Sequence, residues 1–220
     1  MLAGQLLSGR LFPLKISDSC GKALDLMNEF DIAFLPVVDG DKHLGYASAS
    51  DLLDADPDDN ILTKTNSAVV SKVYENQHLF DIITIFSEIS SSVVSVVDIN
   101  DRFLGILSAK ELINKMASLN AFSQPGSIIT LELPAISYSM SEISRIVEYN
   151  NTKILSLYVN TVEDAPAQLQ VHIKLNTTDI KSVVATFERY GYTIVASYYR
   201  EYDTEDMKNR FDSLMKYLDI

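Results

Sequence analysis

At 220 residues, 47% hydrophobic and with a formal charge of −12, the chain has the make-up of a globular protein with enough apolar content for two modest cores. The acidic balance repels phosphate backbones and argues against nucleic acid as a partner. No apolar run reaches bilayer-spanning length, Met1 to Leu14 has neither a basic leader nor a cleavage site, and the lone Cys20 cannot close an internal disulfide. The expectation is a cytoplasmic protein with no membrane partner.

In chain order, an apolar face at Ala23, Leu24, Met27 and Phe30 predicts a helix. Ala33 to Val38 is a short apolar run and predicts a buried strand; Asp39-Gly-Asp-Lys42 is a hairpin turn, Leu44 to Ala47 a returning strand, and Ser48 opens a helix through Leu53. Asp54-Ala-Asp-Pro-Asp-Asp-Asn60 is polar, broken by a proline, and reads as a linker. The series then recurs: helix Phe80 to Ile89, strand Val93 to Val97, turn Asp98-Ile-Asn-Asp-Arg102, strand Phe103 to Leu107, and a helix from Ser108 to about Met116. Aligning Val37-Val38-Asp39 with Val96-Val97-Asp98 also superposes Ala23, Leu24, Leu26 and Met27 on Ile82, Ile83, Ile85 and Phe86. A period of about 60 residues, seen twice, is a duplication of one small unit whose sheet needs the other copy to cover it, rather than a solenoid.

Each copy places a serine at a helix start and an acid three residues later: Ser48-Ala-Ser-Asp51 and Ser108-Ala-Lys-Glu111. A helix start favours phosphate, and a carboxylate one turn in can accept from both hydroxyls of a ribose, which together make a nucleoside grip. The same residues also spell a capping box, in which the serine caps the helix and the acid returns to the serine N–H. Both readings stand on sequence. Lys110, in the first turn of the second copy's helix, is within reach of a phosphate, whereas Ser50 holds that place in the first copy.

The pattern of Phe34-Leu-Pro-Val-Val-Asp39, a turn, then Gly45-Tyr-Ala-Ser48 and Asp51, repeated as Val93-Val-Ser-Val-Val-Asp98 and Gly105-Ile-Leu-Ser108 with Glu111, resembles the paired CBS domains of the Bateman module over roughly residues 1 to 118. The resemblance implies two β-α-β-β-α units related by a pseudo-twofold axis, about 1–56 and 62–118, with two clefts that take adenosine nucleotides or related ligands. It places Gly45, Ser48, Asp51, Gly105, Ser108, Lys110 and Glu111 at the ligand. This chain departs from the pattern at Glu111, where aspartate is usual, and at Ser95, where proline is usual. Residues 1–122 carry nine basic and seventeen acidic side chains, so adenosine monophosphate is expected to bind better than metal-free triphosphate.

After a connector ending in Pro125-Gly126 the pattern changes. Ile128 to Leu133 alternates as a strand; Ser139-Met-Ser-Glu142 is a capping box before a helix with Ile143, Ile146 and Val147 on one face. Lys153 to Val159 and Leu169 to Leu175 form paired strands, Ile180, Val183, Val184 and Phe187 mark a helix stopped by Gly191, and Thr193 to Tyr199 closes the sheet. This is a βαββαβ, ferredoxin-like order. Placed at 127–200 after a CBS pair, it resembles an ACT domain, and the whole arrangement resembles the acetoin-utilisation accessory (AcuB-like) family. In 201–220, Phe211, Leu214, Met215 and Leu218 share one face of a C-terminal packing helix. The fold class expected is therefore α+β.

Catalytic and metal-binding signatures are missing: there is no HExxH, CxxC or GxSxG, and the three histidines are scattered. Asp54-x-Asp-x-Asp58 lacks the glycine and glutamate of a calcium loop. The reading is a non-catalytic, homodimeric regulator that needs no cofactor, senses an adenosine nucleotide and signals to an unknown downstream protein. The alternatives are a constitutive scaffold with empty clefts, or amino-acid binding at the ACT-like domain, whose Leu133–Ser139 loop has no glycine.

Overall fold

Residues 1–65 and 72–199 are described by the computed structural model, and the chain divides into two units, Met1–Ala117 and Ser118–Ile220. In the first unit, β1 (Leu14–Lys15), α1 (Cys20–Phe30), β2 (Phe34–Asp39), β3 (Lys42–Ser48) and α2 (Ala49–Leu52) form one copy. The second copy is β4 (Lys72–Tyr74), α3 (Leu79–Glu88), β5 (Val93–Val97), β6 (Phe103–Ser108) and α4 (Ala109–Ala117). Each sheet runs first, second, third strand, the first pair parallel and the second antiparallel. The two- and three-residue strands β1 and β4 carry too little periodicity to be seen by pattern alone; the crossover through α1 or α3 brings them to the sheet.

The copies are joined by more than a shared surface. Val93 and Ile106 of the second copy are fully buried in a core with Leu14, Met27, Leu35 and Val37 of the first. Their leading turns are also exchanged. Ala3–Gln5, a 3-10 turn, is held by Ala3 N–H to Gln77 O at 3.0 Å and Gly4 N–H to Glu75 O at 2.9 Å, and Ala3 and Leu6 are buried with Val73, Leu79 and Ile82. The matching turn of the second copy, Ile61–Lys64, packs back on the first, where Ile61 is fully buried beside Cys20.

This exchange corrects the reading of 54–60 as a linker. Cys20 N–H donates to Asp59 O and Gly21 N–H to Pro57 O, each at 2.9 Å, so the segment straps across the start of α1 and delivers Ile61 to the core. Truncating Ile61 to alanine would cost about 2–5 kcal/mol, the usual range for a buried isoleucine. Polar composition marked the segment as solvated, but its backbone carbonyls cap a helix start whose N–H groups have no partner within the helix.

The second unit contains α5 (Asn120–Ser123), β7 (Ser127–Pro134), α6 (Met140–Tyr149), β8 (Ile154–Val162), β9 (Ala165–Leu175), α7 (Lys181–Arg189) and β10 (Thr193–Tyr199). Its antiparallel sheet has the order β10-β7-β9-β8, the ferredoxin-like βαββαβ topology. Ile129, Leu131, Leu133, Val171, Ile173 and Leu175 point to one face and are buried against Ile143, Ile146, Val147, Val183 and Phe187 of α6 and α7. The box expected at Ser139 is half formed. Ser139 Oγ accepts from Glu142 N–H at 3.3 Å, but the Glu142 carboxylate accepts instead from Tyr192 Oη at 2.9 Å. Burial and that bond push the Tyr192 hydroxyl up to about 12. The C-terminal helix expected over 201–220 lies outside the described residues.

Candidate functional site

Antiparallel pairing of β5 with β6 sets Ser108 opposite Val93 and buries it where the strand turns into α4. There Ser108 Oγ accepts from Glu111 N–H at 3.1 Å and donates to Glu111 Oε2 at 3.1 Å. The serine therefore caps the helix, while the acid meets its hydroxyl rather than its backbone N–H. In the first copy Ser48 Oγ caps Asp51 N–H at 3.1 Å and lies 2.9 Å from Ser50 Oγ. The exposed Asp51 carboxylate has no partner among the described residues.

Beside α4 lies a cleft of about 640 Å³, within the size range of small-molecule sites. Its far wall is the exchanged N-terminal segment. Ser8 N–H donates to Ile106 O at 2.7 Å, and Ser8 Oγ accepts from the N–H groups of Arg10 and Leu11 at 3.1 and 3.0 Å, which folds this wall over the end of β6. Phe30, Asp31 and Ile32 at the α1–β2 corner and Ser92 complete it. Asp31 ends α1 in the left-handed region at φ 54°, turning the chain into the cleft wall.

Of the residues singled out by sequence, Ser108, Lys110 and Glu111 come together in this cleft. Gly105 does not line it; a Cβ there would stand 3.1 Å from Leu7 Cδ2, so the glycine admits the N-terminal wall rather than a ligand. Gly45 is buried at a bulge in the β2–β3 pair. Ser48 and Asp51 belong to the other copy. The positions that would face them at the repeat spacing, 66–71, lie outside the described residues. Arg10, Asn114 and Lys115 also line the cleft and were missed by sequence reasoning. Arg10 is remote in sequence from α4, and only the exchange of the leading segment brings it there.

Residues 3–58 and 66–118 each match the CBS domain family. The first half of this chain is a tandem CBS-domain pair. Solved structures similar to it include a CBS domain pair/ACT domain protein from Thermotoga maritima, 20% identical, covering 53% of this chain and 96% of that one with a TM-score of 0.47. A Vibrio cholerae protein assigned to acetoin utilization (AcuB) is 20% identical over 56% of this chain and 95% of its own, TM-score 0.49. CBSX2, solved in complex with AMP, is 21% identical over 54% and 98%, TM-score 0.46. CBSX2 comes from Arabidopsis thaliana.

The CBS pair has an acidic total, yet its cleft does not share that sign. Arg10, Lys110 and Lys115 line it against Asp31 and Glu111. Elsewhere at the junction of the copies, Tyr46 is fully buried and its hydroxyl accepts from Ser95 N–H at 2.7 Å. His43 stacks on Phe103 with ring centres 6.4 Å apart and planes within 9°. Burial, with Lys72 nearby, holds the His43 imidazole below its ordinary value. At Cys20, burial and then Asp59 push the thiol up, so the helix start does not activate it. Among the described residues there is no cluster of three or more His, Cys, Asp or Glu suited to a metal, and no helix long and apolar enough to cross a membrane.

Proposed function

We propose that the CBS pair is a sensor of an adenosine nucleotide, bound in the cleft between the N-terminal wall and α4. The observation that carries this reading is that Arg10, Lys110 in the first turn of α4 beside its capped start, and Lys115 in its last turn line one cleft inside an otherwise acidic half. Lys110 and the first-turn N–H groups would meet the phosphate nearest the sugar, and Glu111 would accept from the ribose in place of the Ser108 hydroxyl it now holds. At physiological salt, charges farther than about 8 Å are largely screened, so the sign at the cleft is set by its own lining, three cations against Asp31 and Glu111, rather than by the remote carboxylates. This reverses the order of ligands argued from total charge: affinity should rise from adenosine to its monophosphate and again to its di- and triphosphates.

Calorimetry without divalent metal, on the full chain and on Lys110→Ala, tests the reading. Rising affinity with phosphate number, lowered in the variant, supports it. No heat with any adenosine compound up to about millimolar would leave the scaffold reading, which the internal Ser108–Glu111 bond favours because the cleft satisfies its own acceptor.

On the same reading, 127–200 is an ACT-like domain, 1–118 a module that relays occupancy through domain arrangement to a partner protein, and the whole an AcuB-like, non-catalytic cytoplasmic regulator. A homodimer is supported by apolar side chains left on helix surfaces, with Phe80 69%, Ile83 37% and Ile113 64% exposed. Light scattering should then give twice 24.5 kDa; a mass of 24.5 kDa would remove the dimer.

A further inference from the structure

The second unit holds a cavity of its own, about 300 Å³, at the end of the sheet where β7 begins and β9 ends. One transverse row of the sheet supplies its floor: Tyr198, Ile128 and Lys174 are successive partners across β10, β7 and β9. α6 and α7 cover the opposite face, where Ile129 and Ile173 are buried. The row therefore sets a phenol, an aliphatic side chain and an ammonium side by side. The connector that follows α5 supplies the wall, with Phe122, Ser123 and Pro125.

That wall is held in place. Gly126 passes so close to the end of β9 that an added Cβ would collide with Leu175 O. Ser127 is buried and its Oγ donates to Thr177 O at 2.6 Å, while Lys174 Nζ donates to Phe122 O at 3.4 Å. Connector, strand and the turn into α7 are thus tied together around the cavity.

The chemistry of the cavity is one-sided. Among the described residues none that lines it is acidic, although the chain has 30 Asp and Glu. Lys174 is its cation. An ammonium has three donors, yet this one makes no ion pair among the described residues, and its bond to Phe122 O is long. Ser123, Thr178 and Tyr198 add hydroxyls that hold no hydrogen bond among the described residues. One cation balances one negative charge, and two aromatic rings with Ile128 and Pro125 favour an apolar, planar body. A phosphate dianion would be only half neutralised, and the ammonium of an amino acid would meet no carboxylate. At about 30 Å³ per water, the volume is worth about ten waters, room for a ligand of about ten non-hydrogen atoms.

We propose that this cavity is a binding site for a small aromatic monocarboxylate, with the carboxylate on Lys174 and the Thr178 hydroxyl and the ring against Phe122, Ile128 and Tyr198. The site is distinct from the Leu133–Ser139 loop, which lies at the opposite end of β7. It is also independent of the nucleotide reading, because all of its residues belong to the second unit.

The test titrates benzoate, and benzamide as its uncharged counterpart, into the full chain, read by calorimetry and by amide NMR shifts. Benzoate should bind with shifts centred on 122–128 and 174–178. Benzamide should bind at least tenfold more weakly, a comparison that needs no variant. Lys174→Gln should weaken benzoate at least tenfold, and Lys110→Ala should leave it unchanged. No heat or shift with benzoate up to about 10 mM would overturn the proposal. So would equal binding of benzamide, an unmoved Lys174→Gln, or shifts centred on 108–115, which would move the carboxylate to the CBS cleft.

Discussion

The two copies of the CBS pair share one backbone plan and differ at the positions that decide what each can do. Where the first has Pro36, the second has Ser95; where the first has Tyr46, the second has Ile106; where the first has Ser50 and a free Asp51, the second has Lys110 and a Glu111 bonded to Ser108. The first two differences belong together. Ser95 brings a backbone N–H that proline lacks, and Tyr46 supplies the hydroxyl that accepts it, while the counterpart pair, Pro36 and Ile106, needs neither donor nor acceptor. Duplication thus gave two half-sites free to diverge, provided each change at the junction was matched across it.

The largest expected effect tests that matching. Tyr46→Phe strands the buried Ser95 N–H and should cost about 1–3 kcal/mol by denaturant unfolding. Adding Ser95→Pro removes the stranded donor and should recover part of the loss; a cycle in which the two changes simply add would break the comparison. Ser95→Ala, by contrast, deletes a buried hydroxyl that has no partner and should be neutral or slightly stabilising.

Next in size is the charge difference between the clefts. Arg10→Ala and Lys110→Ala should each weaken binding of a nucleoside triphosphate about tenfold, a loss of about 1.4 kcal/mol, and binding of adenosine little. Asp51→Asn should leave the triphosphate affinity near that of the unmodified chain. If Asp51→Asn had the larger effect in calorimetry, the principal site would belong to the first copy.

A pH effect comes third. His43 and its repeat counterpart Phe103 stack on each other, and His43 Nε2 is buried without a partner. The folded value of His43 lies below its unfolded value near 6.5, so the folded state binds fewer protons and stability is complete above that range. It should fall as pH drops from about 6.5 through the lower folded value. His43→Phe should flatten the unfolding midpoint between about pH 7 and 5; an unchanged slope would assign the dependence to other groups.

The smallest effect separates the two acids in the unliganded protein. Glu111→Gln weakens a half-buried, charge-assisted bond to Ser108 and should lower apo stability by about 0.5–1 kcal/mol, whereas the exposed Asp51→Asn should change it less. Equal thermal shifts would mean that the Ser108 bond contributes nothing beyond the serine cap.

What the sequence by itself determined is everything written in short-range periodicity: the duplication, the strands at Val93 to Val97 and Thr193 to Tyr199, the turn after Asp39, the helix ended by Gly191, and the serine caps at Ser48 and Ser108. Each depends on residues a few positions apart, where backbone geometry and side-chain spacing leave one answer. Tertiary structure decided the rest. The exchange of leading turns, the burial of Ile61 and the arrival of Arg10 beside Lys110 join residues far apart in the chain. They follow from which buried faces and open N–H groups meet once the copies pack. The same holds for Glu142, whose spacing from Ser139 spells a box but whose carboxylate is taken by Tyr192, because the start of the last strand places this half-buried hydroxyl within reach of it.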